Sequence, residues 1–227
     1  MPGKTIAGKT ALIIGASRGI GLGLVQEFAA RGWQVTGTKR GPAPDLDKVP
    51  GAAVETVDVN FPDEIAALRR RLEGQRFDLL FVNAGMMNNR ADTSGTVSTD
   101  EFNRVMNTNT LGPMRAVEAL GDLVDPRGTI AVMTSVLGSN AANTGGTEIY
   151  RASKAALNSL LKSFAARAKK TQTFLAVHPG WVLTEIGGPN AMLDVATSVR
   201  GIADVVEARA GKTGVSFLDY SGKEIPW

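Results

Sequence analysis

Tyr150 and Lys154 stand four positions apart, so on a helix their side chains share one face and can converge on one ligand. A free tyrosine ionises near pH 10, too high to trade protons at neutral pH. A neighbouring ammonium favours the phenolate and lowers that value, which would make Tyr150 a general acid or base. Alone the pair is weak, since a chance match is easy in a chain of 227 residues. Other polar groups strengthen it. Ser135 follows the apolar run Val132-Met133-Thr134, from where a hydroxyl could reach a carbonyl. Asn83-Ala84-Gly85 closes another apolar run, and Asn109 lies in the phrase Val105–Gly112.

A second constellation lies near the start of the chain. Gly15-Ala16-Ser17-Arg18-Gly19-Ile20-Gly21 falls between an apolar run and a helical pattern. Its glycines permit a tight turn and let backbone approach a pyrophosphate, which a helix N-terminus attracts. An acid about 20 residues further on would hold the ribose hydroxyls of NAD. Thr38 stands there instead, followed by Lys39 and Arg40. A guanidinium grips a phosphate bidentately, and Arg18 is expected to point toward the same phosphate. The turn therefore predicts a dinucleotide, NADP(H) rather than NAD.

These groups need elements to carry them. Strands are predicted at Thr10–Ile14, Gln34–Thr38, Ala53–Val59, Phe77–Asn83, Thr129–Thr134, Phe174–Val177 and Gly214–Leu218, from short apolar runs. Helices are predicted at Gly19–Arg31, where Ile20, Leu24 and Phe28 share a face, and from Pro62, where Ile65, Leu68 and Leu72 do. Ser98 and Glu101 form a capping-box pattern for a long helix to about Ala119. Further helices span Ile149–Lys169 and Asp194–Arg209, and Gly41–Pro44 reads as loop. Alternating strands and helices imply a parallel sheet of about seven strands, with helices on both faces. The fold class is α/β: a single doubly wound, Rossmann-type domain over residues 1–227. Its ligands are expected beyond the C-terminal strand ends, where the motifs above fall.

Composition narrows the chemistry. The chain has no cysteine, which excludes thiolate nucleophiles and disulfides. Its single histidine, His178, argues against a His-rich metal site or a Ser-His-Asp triad; it reads as structural, before Pro179. No metal is expected. Net charge is +3 with scattered cations, and Arg69-Arg70-Arg71 reads as a solvated helix face rather than a nucleic-acid surface. The N-terminus has no apolar signal core, and no run reaches the roughly 18 residues of a membrane span, so a cytoplasmic protein is expected. Met86, Met87 and Trp181 are candidate pocket residues.

Taken together, these motifs resemble those of the short-chain dehydrogenase/reductase family over essentially the whole chain. The turn resembles that family's T-G-x-x-x-G-x-G motif, with Ile14 in the usual threonine position. In Val57-Asp58-Val59, Asp58 matches the acid that meets the adenine. Asn83, Ala84 and Gly85 match N-A-G, and Asn109, Ser135, Tyr150 and Lys154 match the catalytic tetrad in order. Pro179 and Gly180, with Val182 and Thr184, match the segment whose threonine holds the nicotinamide carboxamide. Ser135–Ser139, Tyr150–Asn158, His178–Val182 and the ending Phe217–Trp227 resemble the subgroup of C-factor and the carbonyl reductase Sniffer. One departure is the interval from Ser135 to Tyr150, 15 residues, which is longer than usual. The excess is expected in the Gly- and Asn-rich loop Ser139–Gly146, with Thr134 as the alternative to Ser135.

The resemblance implies NADPH-dependent reduction of an aldehyde, ketone or quinone. Tyr150 would donate the proton, and Ser135 would bond the carbonyl. Lys154 would lower the tyrosine pKa and hold the ribose, and Asn109 would hold a water. The segment from Thr184 to Asp194 is short for the family, which implies an open site. A homodimer or homotetramer is expected through the helices of Asn109 and Tyr150. Two non-enzymic alternatives are a C-factor-type developmental signal and an NADP-sensing regulator. Regulators of that kind tend to lose the tyrosine or lysine, and this chain keeps both.

Overall fold

In the computed structural model, which describes residues 8–168 and 171–227, seven strands form one parallel sheet in the order β3-β2-β1-β4-β5-β6-β7. They are β1 (Thr10–Ile14), β2 (Gln34–Lys39), β3 (Ala53–Thr56), β4 (Phe77–Val82), β5 (Val124–Met133), β6 (Thr173–His178) and β7 (Gly214–Asp219). The helices are α1 (Gly19–Ala30), α2 (Pro44–Asp47), α3 (Pro62–Arg71), α4 (Thr99–Met106), α5 (Gly112–Leu120), α6 (Glu148–Ala168) and α7 (Val195–Arg209). Side chains alternate along each strand, so the central strands bury both faces. Leu12, Ile14, Leu80, Val82, Ile130 and Val132 join the apolar faces of α3, α5 and α6 on one side. Ala11, Ile13, Leu79, Phe81, Ala131 and Met133 join α1 and α7 on the other. The strand order reverses at β1, between β2 and β4, and such a switch point opens a crevice at the strands' C-terminal ends.

Most elements lie where the sequence pattern puts them; the departures are informative. The third strand stops at Thr56 rather than Val59. Gly41–Pro44 leads into a short helix, α2, with Pro44 at its first turn and Leu46 buried beneath it. The expected end of α6 at Lys169, like the N-terminal residues 1–7, lies outside the described residues.

The long helix expected from Ser98 to Ala119 is interrupted. Ser98 does cap it, accepting from the Glu101 N–H at 3.2 Å. The Glu101 carboxylate does not return the bond of a capping box and pairs with Arg104 at 2.7 Å. Residues Asn107–Leu111 then form a π-helical turn before α5 resumes. Pro113 accounts for much of this, because it lacks the N–H that a regular helix would donate to the Asn109 carbonyl. Gly112 donates instead to Asn107. A Cβ at Gly112 would lie 2.8 Å from the Val59 carbonyl oxygen, so only glycine lets this turn sit so close.

Candidate active site

The turn after β1 is shaped for an anion. Gly15 and Gly19 take φ of 85° and 56°, values that favour glycine. A Cβ at Gly21 would lie 2.0 Å from the Gly15 carbonyl oxygen, and one at Gly15 would lie 2.9 Å from the Ala84 nitrogen. The turn is therefore folded backbone against backbone. Asn83 braces it, donating from Nδ2 to the Gly15 carbonyl at 2.8 Å. Helix α1 has no side-chain cap and no acid in its first turn. Its first helical bond runs from Leu22 N–H to the Arg18 carbonyl, so the N–H groups of Gly19, Ile20 and Gly21 are free to face an anion. Ser17 and Ile20 are half-buried on its rim.

Each of the cations expected around one phosphate stands beside a carboxylate of its own. Arg18 pairs with Glu185 at 2.7 Å, an exposed bridge between the turn and the segment after β6. Lys39 is held by Asp47 of α2 at 2.5 Å, a partner that comes with the unforeseen helix. Thr38 is fully buried and accepts from the Gly15 N–H at 2.9 Å, so its hydroxyl supports the turn instead of facing a ribose. Arg40 keeps an exposed guanidinium, 3.7 Å from Asp58. The Asp58 carboxylate accepts from the backbone and side-chain nitrogens of Asn60, both at 2.9 Å. Val59 beside it is buried.

At the end of β5 the catalytic candidates meet. Tyr150 and Lys154 occupy successive turns of α6, both buried, with the Lys154 Nζ 5.8 Å from the centre of the phenol ring. Nζ donates to the Met133 carbonyl at 2.9 Å. Asn109 is fully buried in the π-helical turn. Its Oδ1 accepts from Met86 N–H at 2.7 Å, and its Nδ2 donates to the Met86 carbonyl at 2.8 Å and Ser153 Oγ at 3.0 Å. A Cβ at Gly85 would lie 3.3 Å from the Lys154 Nζ and 3.4 Å from the Asn109 Oδ1. Ser135 caps a short 3-10 turn, accepting from Leu137 N–H at 3.1 Å. That turn fits against Lys154 because residue 138 is glycine. Thr134 is buried with its hydroxyl unpaired, and the Ser135 side chain is the one that acts on Tyr150.

Burial, rather than lysine, dominates the tyrosine. It pushes the Tyr150 phenol up to about 12, opposed by the charge of Arg90 and by Ser135. The net shift is thus upward, opposite to the lowering expected from Lys154, and burial also drives the lysine down to about 8. His178 is likewise lowered to about 4 by burial, against the pull of Asp219.

The segment after β6 closes the far side. Pro179 accepts from Ser198 Oγ at 2.7 Å, and Gly180 turns with φ of 83°. Val182 is buried and bridges to Leu193. Thr184 is tied into its own turn, its hydroxyl accepting from Gly187 N–H at 3.1 Å. A Cβ at Gly19 would lie 3.6 Å from the Thr184 methyl, so the two sides of the groove nearly touch. Trp181 is half-exposed, with its indole N–H on the Gly187 carbonyl at 2.8 Å. Sequence reasoning missed Arg90, Glu185, Asn60 and the role of Pro113. Of these only Pro113 left a signal, a proline inside a helical pattern.

Among the described residues no group of three or more His, Cys, Asp or Glu side chains is placed to hold a metal, and no helix is long and apolar enough to cross a membrane. The model of the family described as short chain dehydrogenase matches residues 9–191. A Burkholderia multivorans short-chain dehydrogenase/reductase solved with bound NADP superposes with a TM-score of 0.94 at 45% identity, over 96% of this chain and 99% of its own. The carbonyl reductase Sniffer of D. melanogaster superposes with a TM-score of 0.84 at 29% identity, over 97% and 100%. The C-signal protein of Myxococcus xanthus is 39% identical over 155 residues, 66% of this chain and 92% of its own.

Proposed function

The chain belongs to the short-chain dehydrogenase family, and on that premise we propose that it is an NADP(H)-dependent reductase of small carbonyl compounds: aldehydes, ketones or quinones. The observation that carries this reading is the meeting of Asn109, Ser135, Tyr150 and Lys154 at the end of β5, beside an uncapped helix N-terminus. The NADP-bound Burkholderia relative supports the cofactor, and the glycine turn fits it, because backbone there leaves no room for side chains.

Ser17 and the first turn of α1, from Gly19 to Gly21, would hold the pyrophosphate. Arg40 would face the 2′-phosphate and Asp58 the adenine, with Lys39 and Arg18 committed to their carboxylates. Val59, Asn83, Ala84 and Gly85 would line the adenosine and ribose side. Pro179, Gly180, Val182 and Thr184 would line the nicotinamide side. When bound, NADPH supplies the hydride that reduces the carbonyl carbon.

Tyr150 holds its proton at neutral pH and would donate it to the carbonyl oxygen, yielding the alcohol. The Ser135 hydroxyl would bond that oxygen where negative charge develops. Lys154, still an ammonium below about pH 8, would restore the tyrosine proton and hold the ribose hydroxyls. Asn109 fixes the loop after β4 through Met86, and its carbonyl, which Pro113 cannot bond, would hold the water that relays protons to Lys154.

We propose one domain over residues 1–227, assembled as a homodimer or homotetramer. Phe102, Leu111 and Leu160, on the helical segments of the tetrad, are exposed, and sedimentation of Leu160→Glu tests the assembly: a lighter species is expected. The activity is tested by NADPH oxidation across a panel of aldehydes, ketones and quinones. Turnover with at least one class is expected; none in any class contradicts the reading.

A further inference from the structure

Strand β5 lies between β4 and β6, and Ser135 follows its C-terminal end. The chain leaving β4 passes through Met86, held by Asn109, and reaches Arg90. The chain leaving β6 passes through Pro179 and Gly180 to Ile186. Arg90 Nη2 donates to the Ile186 carbonyl at 2.5 Å. One hydrogen bond thus joins the loops on either side of β5 and spans the strand end where a substrate carbonyl would sit.

That crossing carries charge. Among the described residues Arg90 has no ion-pair partner, although acids stand near it along both loops and the adjoining helices. Asp92 accepts from Asn88 Nδ2 at 3.1 Å, and Glu185 pairs with Arg18 at 2.7 Å. Glu101 pairs with Arg104 at 2.7 Å, and Glu148 accepts from Ser94 N–H at 2.9 Å. A guanidinium has five N–H donors in a planar fork, and the carbonyl of Ile186 takes one. The charge is felt inside the site, where it is the largest influence opposing burial at the Tyr150 phenol. The segment that Arg90 bonds also carries exposed apolar side chains: Ile186, Trp181 and Met192 are exposed to 37%, 49% and 84%.

We propose that Arg90 is the anion-binding residue of the substrate site, and that the preferred substrate is an oxo acid: a carbonyl compound whose carboxylate pairs with Arg90 while its apolar body lies along Ile186 and Trp181. The pairing is of the kind arginine makes best, two parallel N–H bonds to one carboxylate. It also selects against neutral analogues, which leave the guanidinium without its partner. The proposal rests on the reductase reading above.

The test compares 3- and 4-formylbenzoate with their methyl esters as substrates of the full chain with NADPH. Each ester keeps the ring and the aldehyde and removes only the charge. In the wild type, at least one acid is expected to exceed its ester by about 10-fold in kcat/KM, mainly through KM. That ratio is expected to fall to near unity in Arg90→Gln and to survive in part in Arg90→Lys, which keeps the charge without the fork. Raising ionic strength is expected to shrink the wild-type ratio, since an open ion pair is screened. Equal turnover of acid and ester in the wild type, or an acid preference unchanged in Arg90→Gln, overturns the proposal while leaving the reductase reading intact. No turnover of either acids or esters by a chain that binds NADPH and reduces another carbonyl of the panel overturns the proposal alone; the reductase reading falls only if the whole panel fails as well.

Discussion

Burial sets opposite demands on two neighbouring residues, raising the Tyr150 phenol to about 12 and lowering the Lys154 ammonium to about 8. Reduction needs the phenol protonated and the lysine charged. From neutral pH to about 8 both conditions hold; above that the lysine loses its proton first. The kcat/KM for carbonyl reduction is therefore predicted to be level near neutrality and to fall with an apparent pKa near 8. Lys154→Arg, which stays charged, should remove that fall from whatever activity it retains; a pH–rate profile checks both. Arg40 supports a second prediction. Its exposed guanidinium is the cation at the end of β2 least committed to a carboxylate, so Arg40→Asp should shift the NADPH/NADH preference toward NADH by about 10-fold or more. Kinetics with the two cofactors measure this, and an unchanged ratio removes Arg40 from the 2′-phosphate site. Lys39 was as conspicuous in the sequence, yet Asp47 holds it, and nothing in the local pattern announced that partner.

The glycine turn and the π-helical turn do the positioning at the scale of elements. In the first, Gly21→Ala would place a Cβ 2.0 Å from the Gly15 carbonyl oxygen. The turn must then open, and NADPH affinity measured by fluorescence titration is predicted to fall by 10-fold or more; unimpaired binding would mean that the turn does not carry the pyrophosphate. Strands, helix faces and the Ser98 cap were legible because apolar period and capping chemistry are local signals. The break at Asn107–Leu111 was not read, although Pro113 lies inside the pattern, because the match to a single long helix was otherwise good. Helix α2 was hidden for a similar reason: Pro44 reads as a loop residue as readily as a first-turn residue. The tetrad could be named from sequence, whereas the Arg90–Ile186 and Arg18–Glu185 contacts join segments about a hundred residues apart or more, and only the fold brings them together.

For the molecule as a whole, parallel strands bring the turn, the tetrad and the segment after β6 to the C-terminal end of the sheet, where the reversal of strand order at β1 opens a crevice. Stability across pH has a separate source in His178, which burial lowers to about 4 from 6.5 against the pull of Asp219. Between those values the unfolded chain binds a proton that the folded one refuses. Stability from this group is therefore complete above about 6.5 and is lost as pH falls toward 4, by up to about 3 kcal/mol. Denaturant melts across that window should show the slope, and His178→Gln should flatten it; an unchanged slope assigns the acid sensitivity elsewhere. The central claim, however, is that one buried phenol supplies the proton for an NADPH-dependent reduction. It is tested most directly by comparing Tyr150→Phe with the wild type in NADPH-dependent reduction of a carbonyl the wild type turns over, with NADPH binding measured alongside. The predicted result is a kcat lower by at least about 100-fold with NADPH affinity retained; wild-type turnover in Tyr150→Phe would contradict it.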